Sequence, residues 1–121
     1  MNSDLYKNIG VLFYAIAKAD TNLALEEHRK LNDILESSWS HVHPKFIEET
    51  KRAFNESYLN KLESSDCFDA FIAYYNNYPD LFSKELKQLI LKTANGIAYA
   101  VAKINKSELI LIAKLSIEFK K

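Results

Sequence analysis

Eight residues, Asp20-Thr21-Asn22-Leu23-Ala24-Leu25-Glu26-Glu27, hold the densest group of side-chain oxygens that could do chemistry. Asp20 and Asn22 offer oxygens from a turn, and Glu26 and Glu27 offer carboxylates from the start of the next helix. A hard divalent cation collects several oxygens at about 2.0–2.6 Å, and a turn feeding a helix can supply them. The stretch is not an EF-hand loop, which needs more acidic ligands and a glycine at its sixth position. The plain alternative is a solvated turn whose glutamates face the positive end of the helix dipole.

Other chemistry-bearing residues are sparser. His41 and His43 stand two apart, beside Trp39 and Pro44. A zinc or nickel site needs three or four ligands, so Cys67 and His28 would have to join them. Two exposed loop histidines are the simpler expectation. Cys67 beside a histidine could form a nucleophilic pair, but Phe68 and Phe71 next to it point to a buried, inert thiol. There is no Walker loop, dinucleotide fingerprint, Ser-His-Asp layout or CxxC pair. The chain is expected to be non-enzymatic, because no set of nucleophile, base and oxyanion donor is visible.

The elements that position these residues read as helices throughout. Only two glycines and two prolines occur among 121 residues, too few for a turn-rich all-β fold. Ser3 is a candidate N-cap for a first helix carrying Leu5, Ile9, Leu12, Phe13 and Ile16 and running to about Ala19. A second starts near Leu25, carries Leu31, Ile34 and Leu35, and ends among Ser37, Ser38 and Ser40. Pro44 opens a third, with Phe46, Ile47 and Phe54, running to about Leu59. Ser65 and Asp66 open a fourth, bearing Phe68, Phe71, Ile72 and Tyr75. The fifth runs from about Ser83 to Lys103. Ser107 caps a sixth, whose apolar residues are Ile110, Leu111, Leu115 and Ile117. The expectation is an all-α, single-domain bundle of about six helices.

A repeat organises it. YAIAKAD (Tyr14–Asp20) ends the first helix, and YAVAKIN (Tyr99–Asn105) ends the fifth. Each is followed by a short turn and another helix with an early glutamate, which gives two related helix-turn-helix units. Gly10 and Gly96 precede the two tyrosines. A mid-helix glycine costs about 1 kcal/mol relative to alanine, and close helix approach is its usual compensation. The expectation is that Gly10 and Ala17 pack against Gly96 and Ala100.

The first unit resembles the TerB-like family of tellurite-resistance proteins, whose pattern is A-x-A-D-G-x-I-x-x-E-E after an apolar helix. The chain has Ala17-Lys18-Ala19-Asp20-Thr21-Asn22-Leu23-Ala24-Leu25-Glu26-Glu27. The domain is also similar to one in a membrane-anchored DnaJ-like co-chaperone. The resemblance implies an all-α fold, no established enzymatic activity, and acidic groups at the two turns that bind metal. Carried over by position, Asp20, Glu26 and Glu27 form the first group, and Asn105 and Glu108 the second. Thr21 replaces the usual glycine, which alone enters positive φ freely. The second group is degenerate. Asn105 carries no charge, and two residues separate it from Glu108 where five separate Asp20 from Glu26.

Sixteen basic residues balance sixteen acidic ones, so no global charge favours nucleic acid. The basic residues of His28-Arg29-Lys30 and Lys51-Arg52 are scattered among acids, as on solvated helix faces. The longest apolar run, Ile97–Ala102, is far short of the about 20 residues that cross a bilayer. The single cysteine and an N-terminus without signal-peptide features fit a cytoplasmic protein. Phe68, Phe71, Tyr74, Tyr75 and Tyr78 crowd one short helix, which is either buried or an interface. Two functions follow as expectations. One is a small stress-associated protein binding a divalent cation at the acidic turn. The other is a metal-free interaction module using its aromatic surface toward a protein partner or a second copy.

Overall fold

The computed structural model describes residues 2–19, 25–99 and 106–120, and the side chains of 3–19, 28–99 and 106–120. Six α-helices follow one another: α1 (Asn2–Ala17), α2 (Leu25–Ser38), α3 (Pro44–Leu59), α4 (Ser64–Asn77), α5 (Lys84–Ala98) and α6 (Lys106–Lys120). One 3₁₀ turn, Pro79–Leu81, precedes α5. The fold is all-α, with no strand among the described residues.

The helix starts have local causes. Pro44 occupies the first turn of α3, and His43 Nδ1 accepts the Lys45 N–H at 3.1 Å to cap it. Ser83 Oγ accepts the Leu86 N–H at 3.1 Å and caps α5. Ser3 and Ser107 sit inside α1 and α6 rather than at their caps.

The centre of the bundle is α1, which packs against α3, α4, α5 and α6. Its Ile9, Leu12, Phe13 and Ile16 are fully buried, as the helical spacing requires. Trp39, at the end of α2, is also fully buried. Its Nε1–H donates to Thr93 Oγ1 on α5 at 3.0 Å, and its ring meets Phe13 edge-on at 6.0 Å. The indole thereby joins three helices while its one donor stays satisfied.

The aromatic helix α4 turns inward. Phe68, Phe71 and Tyr75 are buried. Phe82 lies 5.7 Å from Phe71 and 5.0 Å from Tyr75, centroid to centroid. Phe119 from α6 closes the cluster at 5.0 Å from Tyr75. Of the five crowded aromatics only Tyr78 is largely exposed, so core packing accounts for the helix.

Two expectations are corrected. The glycines do not face each other. A Cβ at Gly10 would collide with the Thr50 carbonyl oxygen and come within 2.9 Å of Ala53 Cβ, both on α3. A Cβ at Gly96 would collide with Ile34 Cδ1 on α2. Each glycine serves a different helix pair, and Ala100 lies outside the described residues. The second correction concerns the repeat. Tyr14 is fully buried within α1, whereas α5 stops at Ala98 and Tyr99 caps its C-terminus, 54% exposed. Ile97 and Ala98, in the last turn of α5, are buried. Residues 100–105 lie outside the described residues.

Candidate functional site

Asp20, Asn22 and Asn105 lie outside the described residues. Glu26 and Glu27 fall in the first turn of α2, but their side chains also lie outside them. Glu108 is placed in the first turn of α6 and is 1% exposed. Among the described residues no group of three or more His, Cys, Asp or Glu could hold a metal ion.

The remaining candidates separate onto different elements. His41 and His43 are exposed, and His43 Nδ1 is engaged in capping α3. The His28 ring packs on Phe54 at 5.1 Å. Cys67 is buried on α4. Burial pushes its thiol above the ordinary range, and the Asp66 carboxylate adds to the shift. A thiol held protonated this way is a poor nucleophile, as expected from Phe68 and Phe71.

The exposed apolar surface lies elsewhere. A cleft of about 930 Å³ opens between the end of α1, the α3–α4 connection and the start of α6. Leu59, Leu62 and Tyr58 form one wall, and Ile110 and Leu111 the other. Leu59 is 74% exposed, Ile110 55% and Tyr58 46%. Lys18, Lys61 and Glu63 supply charge at its rim.

Local backbone chemistry fixes the first wall. Lys61 adopts φ 52°, a left-handed conformation. Its N–H bonds the Tyr58 carbonyl at 3.1 Å, and the Leu62 N–H bonds the Ser57 carbonyl at 3.2 Å. This pair is a Schellman termination of α3, with lysine where glycine is usual. The same connection is tied to α1. Tyr14 Oη donates to the Leu62 carbonyl at 2.8 Å, and Ser64 Oγ donates to the Ala15 carbonyl at 2.6 Å. Ser64 thereby satisfies one of the carbonyls that the end of α1 leaves without a helical partner. Burial pushes the Tyr14 phenol up, and Cys67, Glu63 and Tyr58 add smaller upward contributions. A neutral Tyr14 hydroxyl can donate its proton to Leu62, and an ionised one could not.

The second wall comes from α6, whose apolar residues divide between two environments. Leu115 is fully buried, but Ile110 and Ile117 are 55% and 58% exposed. The signal was available in the sequence. The run Leu109-Ile110-Leu111-Ile112-Ala113 places apolar residues on every side of the helix, more than one buried face can take. The first wall had no such signal, since Leu59 and Leu62 read as ordinary helix-end residues.

No family model, curated protein or solved structure matches the chain. No helix among the described residues is long and apolar enough to cross a membrane.

Proposed function

We propose that the chain is a non-enzymatic helical interaction module that seats an apolar segment of a protein partner in the cleft between α6 and the α3–α4 connection. One observation carries this: Leu59, Ile110 and Tyr58 stand exposed around a single concavity. Concave, mostly apolar surfaces of this size are where ligands and partner helices bind. The surface differs from the aromatic one expected on α4, whose rings serve the core. The test is a nuclear magnetic resonance titration of the full chain with a synthetic amphipathic helical peptide. Shifts centred on Leu59, Leu62, Ile110 and Leu111 support the module. Binding that leaves these four residues unmoved, or no binding, refutes it.

A second reading is favoured by Glu108, a carboxylate buried to 1% in the first turn of α6, together with the TerB-like pattern. In it the chain is a small cytoplasmic, stress-associated protein that holds a divalent cation at Asp20, Asn22, Glu26 and Glu27, with Asn105 and Glu108 as a weaker second group. A ligand at 100 times its dissociation constant would stabilise the fold by about 2.7 kcal/mol. Thermal unfolding of metal-stripped protein with added Ca²⁺, Mg²⁺, Mn²⁺ or Zn²⁺, beside Asp20→Ala, tests it. A midpoint rise that vanishes in the variant supports the cation, and no rise with any ion removes it.

A further inference from the structure

The sixth helix is apolar on two opposite sides. Ile112, Leu115 and Phe119 are buried, against α5, α1 and α4. Directly opposite by helical spacing, Ile110, Ala113 and Ile117 are exposed. Three and four residues apart, they form one stripe. Ile110 also lines the cleft, so the stripe continues the cleft wall along the helix.

The fully exposed charges beside this stripe have one sign. Lys106, Lys114 and Lys120 are all exposed on the same side of α6. Of its two carboxylates, Glu108 is buried and Glu118 is half-buried. Lys61 adds a further exposed cation at the cleft rim, against the single described acid there, Glu63. A chain with no net charge therefore sets several lysines beside this exposed apolar stripe.

From this we infer that the cleft and the outer face of α6 together receive an acidic amphipathic helix. The inference deepens the interaction-module reading and rests on it. Two isoleucines one turn-pair apart fit the apolar face of a partner helix, which anchors at i, i+3, i+4 and i+7. Carboxylates on that helix's flanks meet the three lysines, and such complementarity sets both partner choice and association rate. A second copy placed face to face would set lysine against lysine, which charge repulsion disfavours. A flat anionic membrane would leave the concave part of the cleft around Leu59 and Ile110 unfilled.

Three synthetic helical peptides separate these outcomes. All carry leucine at the same i, i+3, i+4 and i+7 positions, and their flanking positions are all Glu, all Gln or all Lys. Fluorescence anisotropy with the full chain is read at low and high salt. The expected order is Glu, then Gln, then Lys, with about tenfold between the first and last. The advantage of the Glu peptide should shrink at high salt, where exposed charges are screened. Ile117→Asp should weaken all three peptides. Lys114→Glu should weaken the Glu peptide and strengthen the Lys peptide. Both side chains are exposed, and unchanged circular dichroism confirms that the variants fold. Equal binding of the three peptides, or no response to Lys114→Glu, overturns the acidic partner and leaves the module standing. Failure of all three to bind overturns both. Binding to phosphatidylserine vesicles without peptide preference, or a dimer in sedimentation that Ile117→Asp dissociates, assigns the face to a membrane or a second copy and overturns the inference.

Discussion

Gly10→Ala and Gly96→Ala make the same chemical change in helices of one bundle, and the structure assigns them different outcomes. Both gain about 1 kcal/mol of helix propensity. At Gly10 the new methyl would strike the Thr50 carbonyl and stand 2.9 Å from Ala53 Cβ. Ordinary contact begins near 3.4 Å, so the Ala53 contact alone asks for about half an ångström of separation. Backbone must move to provide it, because the carbonyl belongs to α3. That movement is opposed by Thr50 Oγ1, which donates to the Phe46 carbonyl at 3.0 Å and reaches the Tyr6 carbonyl of α1 at 3.3 Å. Overpacking of this kind costs about 1–3 kcal/mol, or more when backbone is involved. The net expectation is a loss of about 1–2 kcal/mol. At Gly96 the obstacle is the end of the Ile34 side chain, which can change rotamer for about 0.5–1.5 kcal/mol. Propensity offsets that, and the net change should lie within about 0.5 kcal/mol of zero. At roughly 4 °C per kcal/mol for a domain of this size, thermal unfolding followed by circular dichroism should show Gly10→Ala lowered by roughly 4–8 °C and Gly96→Ala within about 2 °C of the parent. A Gly10→Ala protein as stable as the parent, or a Gly96→Ala protein that falls as far, would refute the assignment of these glycines to α3 and α2.

Lys61→Gly should raise stability by about 1 kcal/mol, since a left-handed φ costs a residue with a Cβ roughly 1–2 kcal/mol and glycine almost nothing; urea unfolding at a constant m-value measures it. Tyr14 gives the pH dependence. Its phenol is raised above the ordinary 10.0 in the folded chain, so the unfolded chain loses that proton first as pH rises. The stabilisation is fully present below about pH 10 and declines above it. Tyr14→Phe should lose about 0.5–1.5 kcal/mol at neutral pH through the missing bond to Leu62 and show a shallower alkaline decline than the parent. Tyr6 and Tyr74, also raised by burial, keep that decline from vanishing.

Much of the architecture was legible because local chemistry and tertiary packing agree. Pro44 marks the first residue of α3, Ser83 caps α5, and the spacing of Ile9, Leu12, Phe13 and Ile16 names the buried face of α1. Where the two disagree, packing decides. Gly10 and Gly96 look like a matched pair, yet each relieves a different neighbour, which spacing along one chain does not encode. The YAIAKAD and YAVAKIN segments share letters, but Tyr14 lies in the part of α1, Leu12–Ala17, that is buried on every side, and Tyr99 is exposed at the C-cap of α5. Ile110 and Ile117 fit a helical face as well as Leu115 does, and only the positions of α1, α4 and α5 tell which face is covered. The cleft was invisible to the sequence because Leu59, Leu62 and Ile110 come from separate elements. Asp20, Asn22 and Asn105, legible as a cation motif, lie outside the described residues.

The hydrogen bonds that fasten α1 and α2 to the bundle join residues 44, 48, 49 and 54 positions apart. A six-helix protein could have been knitted from neighbours, but here the central helix is synthesised before nearly everything it touches. On a ribosome adding about 5–20 residues each second, Ile9, Leu12, Phe13 and Ile16 would wait for seconds before α3 emerges to cover them. Such distant pairings also slow folding relative to helical proteins of local contact. The nascent α1, an apolar helix with no mate, is therefore the stretch of this chain most in need of a chaperone.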